Sequence, residues 1–122
     1  MTRILVADDD PECVELLHHA LQTPGVELVT ARDGGELLEL IAEHGPFDLI
    51  VTDINMPWME GVQVLASARA AGLDTPVLVV TGLSRSDLPD TILQLRRAKL
   101  LAKPITIAEL RSAVDELLRG ES

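Results

Sequence analysis

Three carboxylates, a hydroxyl and an ammonium recur at one kind of place in this sequence. Ile4-Leu-Val-Ala7 leads into Asp8 and Asp9, and Leu49-Ile-Val-Thr52 leads into Asp53. Val77-Leu-Val-Val80 leads into Thr81, and Leu100-Leu-Ala102 leads into Lys103. Short apolar runs bounded by turn residues read as buried strands, so each group stands at a strand's C-terminal end. Gathered in one crevice, the three carboxylates would repel one another. A hard divalent cation such as Mg²⁺ (or Mn²⁺) relieves that repulsion and takes oxygen ligands. A carboxylate can also attack phosphorus and form an aspartyl phosphate. A cation, an ammonium and a hydroxyl together stabilise the charge on a transferring phosphoryl group. The set therefore reads as one nucleophile, one metal site, one counter-charge and one hydroxyl.

The elements that must position these groups alternate along the chain. Strand one, Arg3–Ala7, runs into Asp10-Pro11, an N-cap followed by proline at the first helical position. That helix continues to about Gln22, with Val14, Leu17 and Leu21 on one face, and Pro24-Gly25 ends it. Val26–Ala31 is strand two. Asp33-Gly34-Gly35-Glu36 resembles a capping box and opens a helix whose apolar residues are Leu37, Leu38 and Ile41. Gly45-Pro46 breaks it. Phe47–Thr52 is strand three, and Asn55, Met56, Pro57 and Gly61 make the turn after Asp53. A third helix begins near Val62, and Pro76–Thr81 is strand four. Pro89 is tolerated only in a helix's first turn, so the fourth helix starts near Asp87. Leu100–Ala102 is a short strand five. Thr106 to Glu109 forms a capping box for a last helix with Ile107, Leu110, Val114 and Leu117 inward. Five such alternations predict an α/β domain, with a parallel sheet covered by helices on both faces. In the flavodoxin-like order 2-1-3-4-5, strands one, three, four and five are neighbours, and the chemical groups line one crevice at the carboxyl edge.

At 122 residues the chain is expected to be one domain, 1–122, with no second domain. Twenty acidic against ten basic residues give a net charge of −10, which argues against a nucleic-acid or anionic-membrane surface. A single cysteine, Cys13, excludes an internal disulfide. No signal peptide or membrane-length apolar run is present, so the expected location is cytoplasmic. Cys13 reads as an inert helical thiol, and Asp10 as a helix cap. His18 and His19 are adjacent and lack the spacing for a shared metal face.

The segments Ile4–Pro11, Asp53–Gly61, Val77–Gly82 and Lys103-Pro104, in this order and spacing, resemble the receiver domain of bacterial response regulators, and the likeness covers essentially the whole chain. The resemblance implies that Asp53 accepts a phosphoryl group from a sensor histidine kinase or histidine phosphotransfer protein. It implies that Asp9, Asp53 and the Asn55 backbone carbonyl ligate Mg²⁺, with Asp8 supporting directly or through water. Lys103 would contact the phosphoryl group, Thr81 would move to hydrogen-bond it, and Lys103–Pro104 would be a cis peptide. The protein would then be a signalling switch rather than a conventional enzyme, beyond its own phosphorylation and slow autodephosphorylation. It would act on an output protein or an attached effector domain, as a monomer or weak homodimer.

Two features depart from that pattern. Leu100 stands where the family carries a switch aromatic. Arg85, Arg96, Arg97, Lys99 and Lys103 concentrate half of the ten basic residues in one stretch, which suggests a basic output surface on an acidic protein. Leu100 keeps a phosphorylation-independent pseudo-receiver as an alternative. Asp8 and Asp10 also mimic the paired aspartates of an aspartate-nucleophile phosphatase, although Pro11 and Glu12 follow them.

Overall fold

Apolar runs of four to six residues became strands because both of their faces could be covered. In the computed structural model, which describes residues 1–53, 75–82 and 97–120, β1 spans Thr2–Ala7, β2 Val26–Ala31, β3 Leu49–Thr52, β4 Val77–Thr81 and β5 Ala98–Ala102. All pairings are parallel and the order is β2-β1-β3-β4-β5, as expected for the doubly wound α/β class. Every residue of β3 and β4 is buried, so these central strands read as continuous apolar runs rather than alternating ones. The expected third and fourth helices lie outside the described residues.

Three helices are described: α1 (Pro11–Leu21), α2 (Gly34–His44) and a C-terminal helix (Ile107–Leu118). Each begins where its sequence signal placed it. Asp10 accepts the Glu12 N–H, Asp33 the Glu36 N–H and Thr106 the Glu109 N–H, which satisfies one orphan donor per helix. Two apolar layers follow from the strand pleat. Ile4, Val6, Leu49, Val51, Leu78 and Val80 point to one face and meet Leu17, Leu110 and Leu117. Leu5, Ala7, Ile50, Val77 and Val79 point to the other and meet Leu37 and Phe47.

Several boundaries and faces differ from expectation. Leu38 is 49% exposed, because Leu37, Leu40 and Ile41 form the i, i+3, i+4 stripe and Leu38 turns away from it. On α1 the buried residues are Cys13, Leu17, Ala20 and Leu21, while Val14 is half-buried. β5 begins at Ala98 rather than Leu100, after a turn in which Arg97 has φ 52°. An edge strand tolerates a lysine within it, and Lys99 forms an ion pair with Glu116 of the C-terminal helix. β3 begins at Leu49 rather than Phe47. The preceding segment is instead held by Arg3, whose Nη1 donates to the carbonyls of His44 (2.6 Å) and Pro46 (3.1 Å) and whose guanidinium lies over the Phe47 ring. The Arg3 backbone N–H donates to Asp48 Oδ2 at 2.7 Å. Gly45 belongs at this corner, since a Cβ there would stand 2.8 Å from the Ile41 carbonyl oxygen. The Gly45–Pro46 and Lys103–Pro104 bonds are both cis.

Among the described residues no helix is long and apolar enough to cross a membrane.

Leu110 is fully buried between the C-terminal helix and the sheet. Leu110→Ala is expected to lower unfolding free energy by about 3 kcal/mol with an unchanged denaturant slope, read by urea titration.

Candidate functional site

The hydrogen-bond ladder continues one residue past three strand junctions. The Asp8 N–H donates to the Ala31 carbonyl (3.2 Å), the Asp53 N–H to the Ala7 carbonyl (2.9 Å) and the Lys103 N–H to the Thr81 carbonyl (2.8 Å). Because Ala7 pairs with Thr52, the next row sets Asp8 beside Asp53. Thr81 pairs with Ala102, so Lys103 follows directly beyond it. The sheet edge thus collects Asp8, Asp53, Thr81 and Lys103, with Asp9 one residue past Asp8.

Burial makes this grouping expensive unless it is compensated. Asp8 is 1% and Asp53 6% exposed, whereas Asp9 is open to solvent. A buried carboxylate needs a counter-charge and hydrogen bonds. Lys103 Nζ lies 3.1 Å from Asp8 Oδ2 and 3.0 Å from Asp53 Oδ2, bridging the two. Asp8 Oδ1 also accepts the Asp10 N–H at 2.9 Å. Burial alone would pull the Lys103 ammonium down, but the hydrogen bonds and charges of Asp53 and Asp8 outweigh it and hold it above the ordinary lysine range. Lys103 therefore stays charged throughout the neutral range.

One carboxylate oxygen from each of Asp8, Asp9 and Asp53 lies within 4.8 Å of the others. Three hard oxygen donors, two of which share one ammonium, fit a divalent cation that keeps some of its water. Asn55, the remaining expected ligand, lies outside the described residues. Thr81 is fully buried at the end of β4, on the Lys103 side of the crevice. Asp10 does not join the cluster: its carboxylate accepts the Glu12 N–H at 3.0 Å as the α1 cap. That geometry removes the second aspartate on which a phosphatase reading depended.

Two of the five basic residues expected on an output surface are engaged elsewhere. Lys103 faces the crevice, and Lys99 is paired with Glu116, whose carboxyl is held below its usual range by that contact. Arg85 and Arg96 lie outside the described residues. Leu100 is half-buried against the Leu5, Ala7 and Val79 layer, so at this position the core is filled by an aliphatic side chain.

Three features had no signal in the sequence beyond residue type. Cys13 is buried close to Asp8, and its thiol is pushed up to about 12, first by desolvation and then by the Asp8 carboxylate. His18 Nε2 and Thr30 Oγ1 share a 2.7 Å hydrogen bond between α1 and β2. Beside them lies an open groove of about 800 Å³, lined among others by Asp8, Asp9, Thr30 of β2 and Arg32 just past it.

Comparison with known proteins gives a consistent picture. The sequence pattern of the response regulator receiver domain matches residues 4–115. The chain is 41% identical over 119 residues to the transcriptional regulatory protein PrrA of Mycobacterium tuberculosis, covering 96% of this chain and 50% of that protein. The chain thus spans about half the length of the curated relatives it matches. Among solved structures, it is similar to the response regulator TrrA of Thermotoga maritima, crystallised in complex with Mg²⁺–BeF, at 35% identity and TM-score 0.81, covering 96% of this chain and 99% of that one. It is also similar to the chemotaxis response regulator CheY4 of Vibrio cholerae, at 28% identity and TM-score 0.84, covering 96% and 98%.

Lys103 and a metal ion would draw on the same carboxylates. Lys103→Gln is therefore expected to tighten Mg²⁺ binding by about 3–10-fold in calorimetric titration, since a competing cation is removed. Cys13 offers a separate check on the buried site. At pH 8 its reaction with a thiol reagent should be about a thousandfold slower in the folded chain than in urea, because a thiol near 12 holds far less thiolate than an ordinary one.

Proposed function

The chain belongs to the response regulator receiver domain family, and from that membership we propose that it is a phosphorylation-gated switch with Asp53 as the phosphoacceptor. The family is a signalling one rather than a class of conventional enzymes. The observation that carries the reading is the Lys103 ammonium bridging Asp8 and Asp53 at 3.1 and 3.0 Å, with the Asp9 carboxylate in reach of both. A single lysine beside the acceptor is placed to follow a phosphoryl oxygen once Asp53 carries one.

The proposed donor is the phosphohistidine of a sensor histidine kinase or of a histidine phosphotransfer protein. An Asp53 carboxylate oxygen forms a bond to phosphorus, the phosphorus–nitrogen bond breaks, and its electron pair stays on the imidazole ring. Mg²⁺ or Mn²⁺, held by Asp9, Asp53 and the Asn55 carbonyl with Asp8 in support, would supply charge stabilisation for the phosphoryl oxygens. Asp8 keeps Lys103 in place from the other side. Lys103 neutralises the developing charge, and the Thr81 hydroxyl donates to a phosphoryl oxygen. The slow autodephosphorylation proposed with this site is attack of water on the same phosphorus, which breaks the phosphorus–oxygen bond to Asp53, returns its carboxylate and releases inorganic phosphate.

The longer curated relatives support an output through an attached effector domain or a separate partner, in the cytoplasm where kinases of this kind present their phosphohistidine. Buried Asp8, Asp53 and Thr81 around Lys103 favour a working acceptor over a phosphorylation-independent module.

Incubation with acetyl phosphate and Mg²⁺, followed by intact-mass measurement, tests the assignment. The wild-type chain should gain one phosphoryl group and Asp53→Asn none. Asp9→Asn should slow the gain by about 100-fold or more through weakened metal binding. Equal labelling of Asp53→Asn would place the acceptor elsewhere.

A further inference from the structure

A second cation stands on the same sheet edge as Lys103. β1 and β2 pair in register as far as Ala7 and Ala31, and the Asp8 N–H still donates to the Ala31 carbonyl. The backbone is extended again at Asp33, with φ −151° and ψ 173°. Arg32 is the first residue past β2 as Asp8 is the first past β1, so it stands at the same sheet edge on the flank of Asp8 opposite Asp53. Read across the edge, the order is Arg32, Asp8, Asp53, Thr81, Lys103. The two buried carboxylates have a cation on each flank.

These two cations are used differently. Lys103 is committed to Asp8 and Asp53. Arg32 is exposed, and among the described residues its guanidinium has no hydrogen bond or ion pair. It nonetheless lines the 800 Å³ groove that Asp8 and Asp9 also line. Glu36 lines the same groove without pairing to it. Among the groove's described lining residues, Arg32 is the one arginine or lysine, against Asp8, Asp9, Glu15 and Glu36. A dianion approaching Asp53 from this flank meets four carboxylates, and Arg32 is the group that offsets them. Its forked N–H donors suit phosphate oxygens better than a point charge does. Two strand spacings, roughly 10 Å, separate β2 from β3 at this edge, within the combined reach of an extended arginine and a phosphoryl group on its way to Asp53.

We propose that Arg32 is a second phosphodonor-binding residue, its guanidinium taking an oxygen of the incoming phosphoryl group on the Asp8–Asp9 flank before transfer. The proposal rests on Asp53 being the phosphoacceptor. The chemistry recognised is a phosphoryl dianion on a good leaving group, whether an acyl phosphate or a phosphorylated imidazole. With acetyl phosphate, an Asp53 oxygen bonds to phosphorus while the bond from phosphorus to the acyl oxygen breaks, and acetate leaves with the electron pair and no proton. With phosphoimidazole, the broken bond is phosphorus–nitrogen and the pair stays on a ring already protonated at its other nitrogen.

The test compares wild type, Arg32→Ala, Arg32→Lys and Arg32→Glu at saturating Mg²⁺, with acetyl phosphate and with phosphoimidazole as separate donors. The second-order rate constant for Asp53 phosphorylation should fall about tenfold in Arg32→Ala, further in Arg32→Glu, and recover in part in Arg32→Lys. Mg²⁺ affinity, measured by calorimetry without donor, should stay equal or tighten in Arg32→Ala, because a cation has left the carboxylates' neighbourhood. Slower transfer without weaker metal binding is a pair of results that general damage to the site does not produce. Loss with both donors assigns Arg32 to the phosphoryl group itself. Loss with one donor alone assigns it to acyl phosphates or to phosphorylated imidazole, respectively. Unchanged rates with both donors, or a loss matched by weaker Mg²⁺ binding, would overturn the proposal. A wild-type chain that gains no phosphoryl group from either donor would instead refute Asp53 as acceptor, and Arg32's role with it.

Discussion

Parallel pairing of β1 with β3 forces two carboxylates side by side. Ala7 lies opposite Thr52, so Asp8 and Asp53 follow as neighbours with almost no access to water. Like charges in that position repel, and neither can be well solvated. The arrangement persists because Lys103 reaches both from the far side of Thr81, and because Asp8 takes a further backbone N–H from Asp10. Three carboxylates and one ammonium still leave unbalanced negative charge. A divalent cation would relieve that imbalance, which is the physical basis of the metal and phosphoryl chemistry proposed for the site.

The rest of the fold keeps the register from slipping. A one-residue shift in a strand would turn each buried side chain to the opposite face. Here both faces are filled, one by Leu17, Leu110 and Leu117 and the other by Leu37 and Phe47, so a slip would misplace residues on either side at once. At the opposite end of β1, Arg3 ties the chain before β3 through His44, Pro46 and Asp48. Arg111 Nε donates to the Ala20 carbonyl and links the C-terminal helix to α1. The face formed by β5 and the C-terminal helix is less basic than its sequence, since Lys99 is neutralised by Glu116. A switch built on this chain has an aliphatic Leu100 rather than an aromatic ring at the Leu5–Val79 layer.

Most of the site was legible in the sequence because it sits at strand ends. Asp8, Asp9, Asp53, Thr81 and Lys103 each follow an apolar run, and alternation with helices fixes which way those runs point. The caps at Asp10, Asp33 and Thr106 were equally plain, since capping is a local interaction. What escaped were facts of packing and register. Leu38 has the right residue type for a core but the wrong angle on α2. β5 is two residues longer than its apolar run because an edge strand admits Lys99. Arg32 reads as an ordinary surface residue in a loop; its place beside Asp8 emerges from β1–β2 pairing alone. The Arg3 clamp likewise joins residues more than forty positions apart in sequence and leaves no local pattern.

One crevice should bind first a cation and then a phosphoryl mimic at Asp53. Trp58 is the sole tryptophan and lies five positions after Asp53 in sequence, so its fluorescence is a direct probe. Titration with Mg²⁺ should give a saturable change, and beryllofluoride should then give a second change that Asp53→Asn loses. A protein whose fluorescence ignores Mg²⁺, or whose beryllofluoride response survives in Asp53→Asn, would contradict an acceptor site at the junction of β1 and β3.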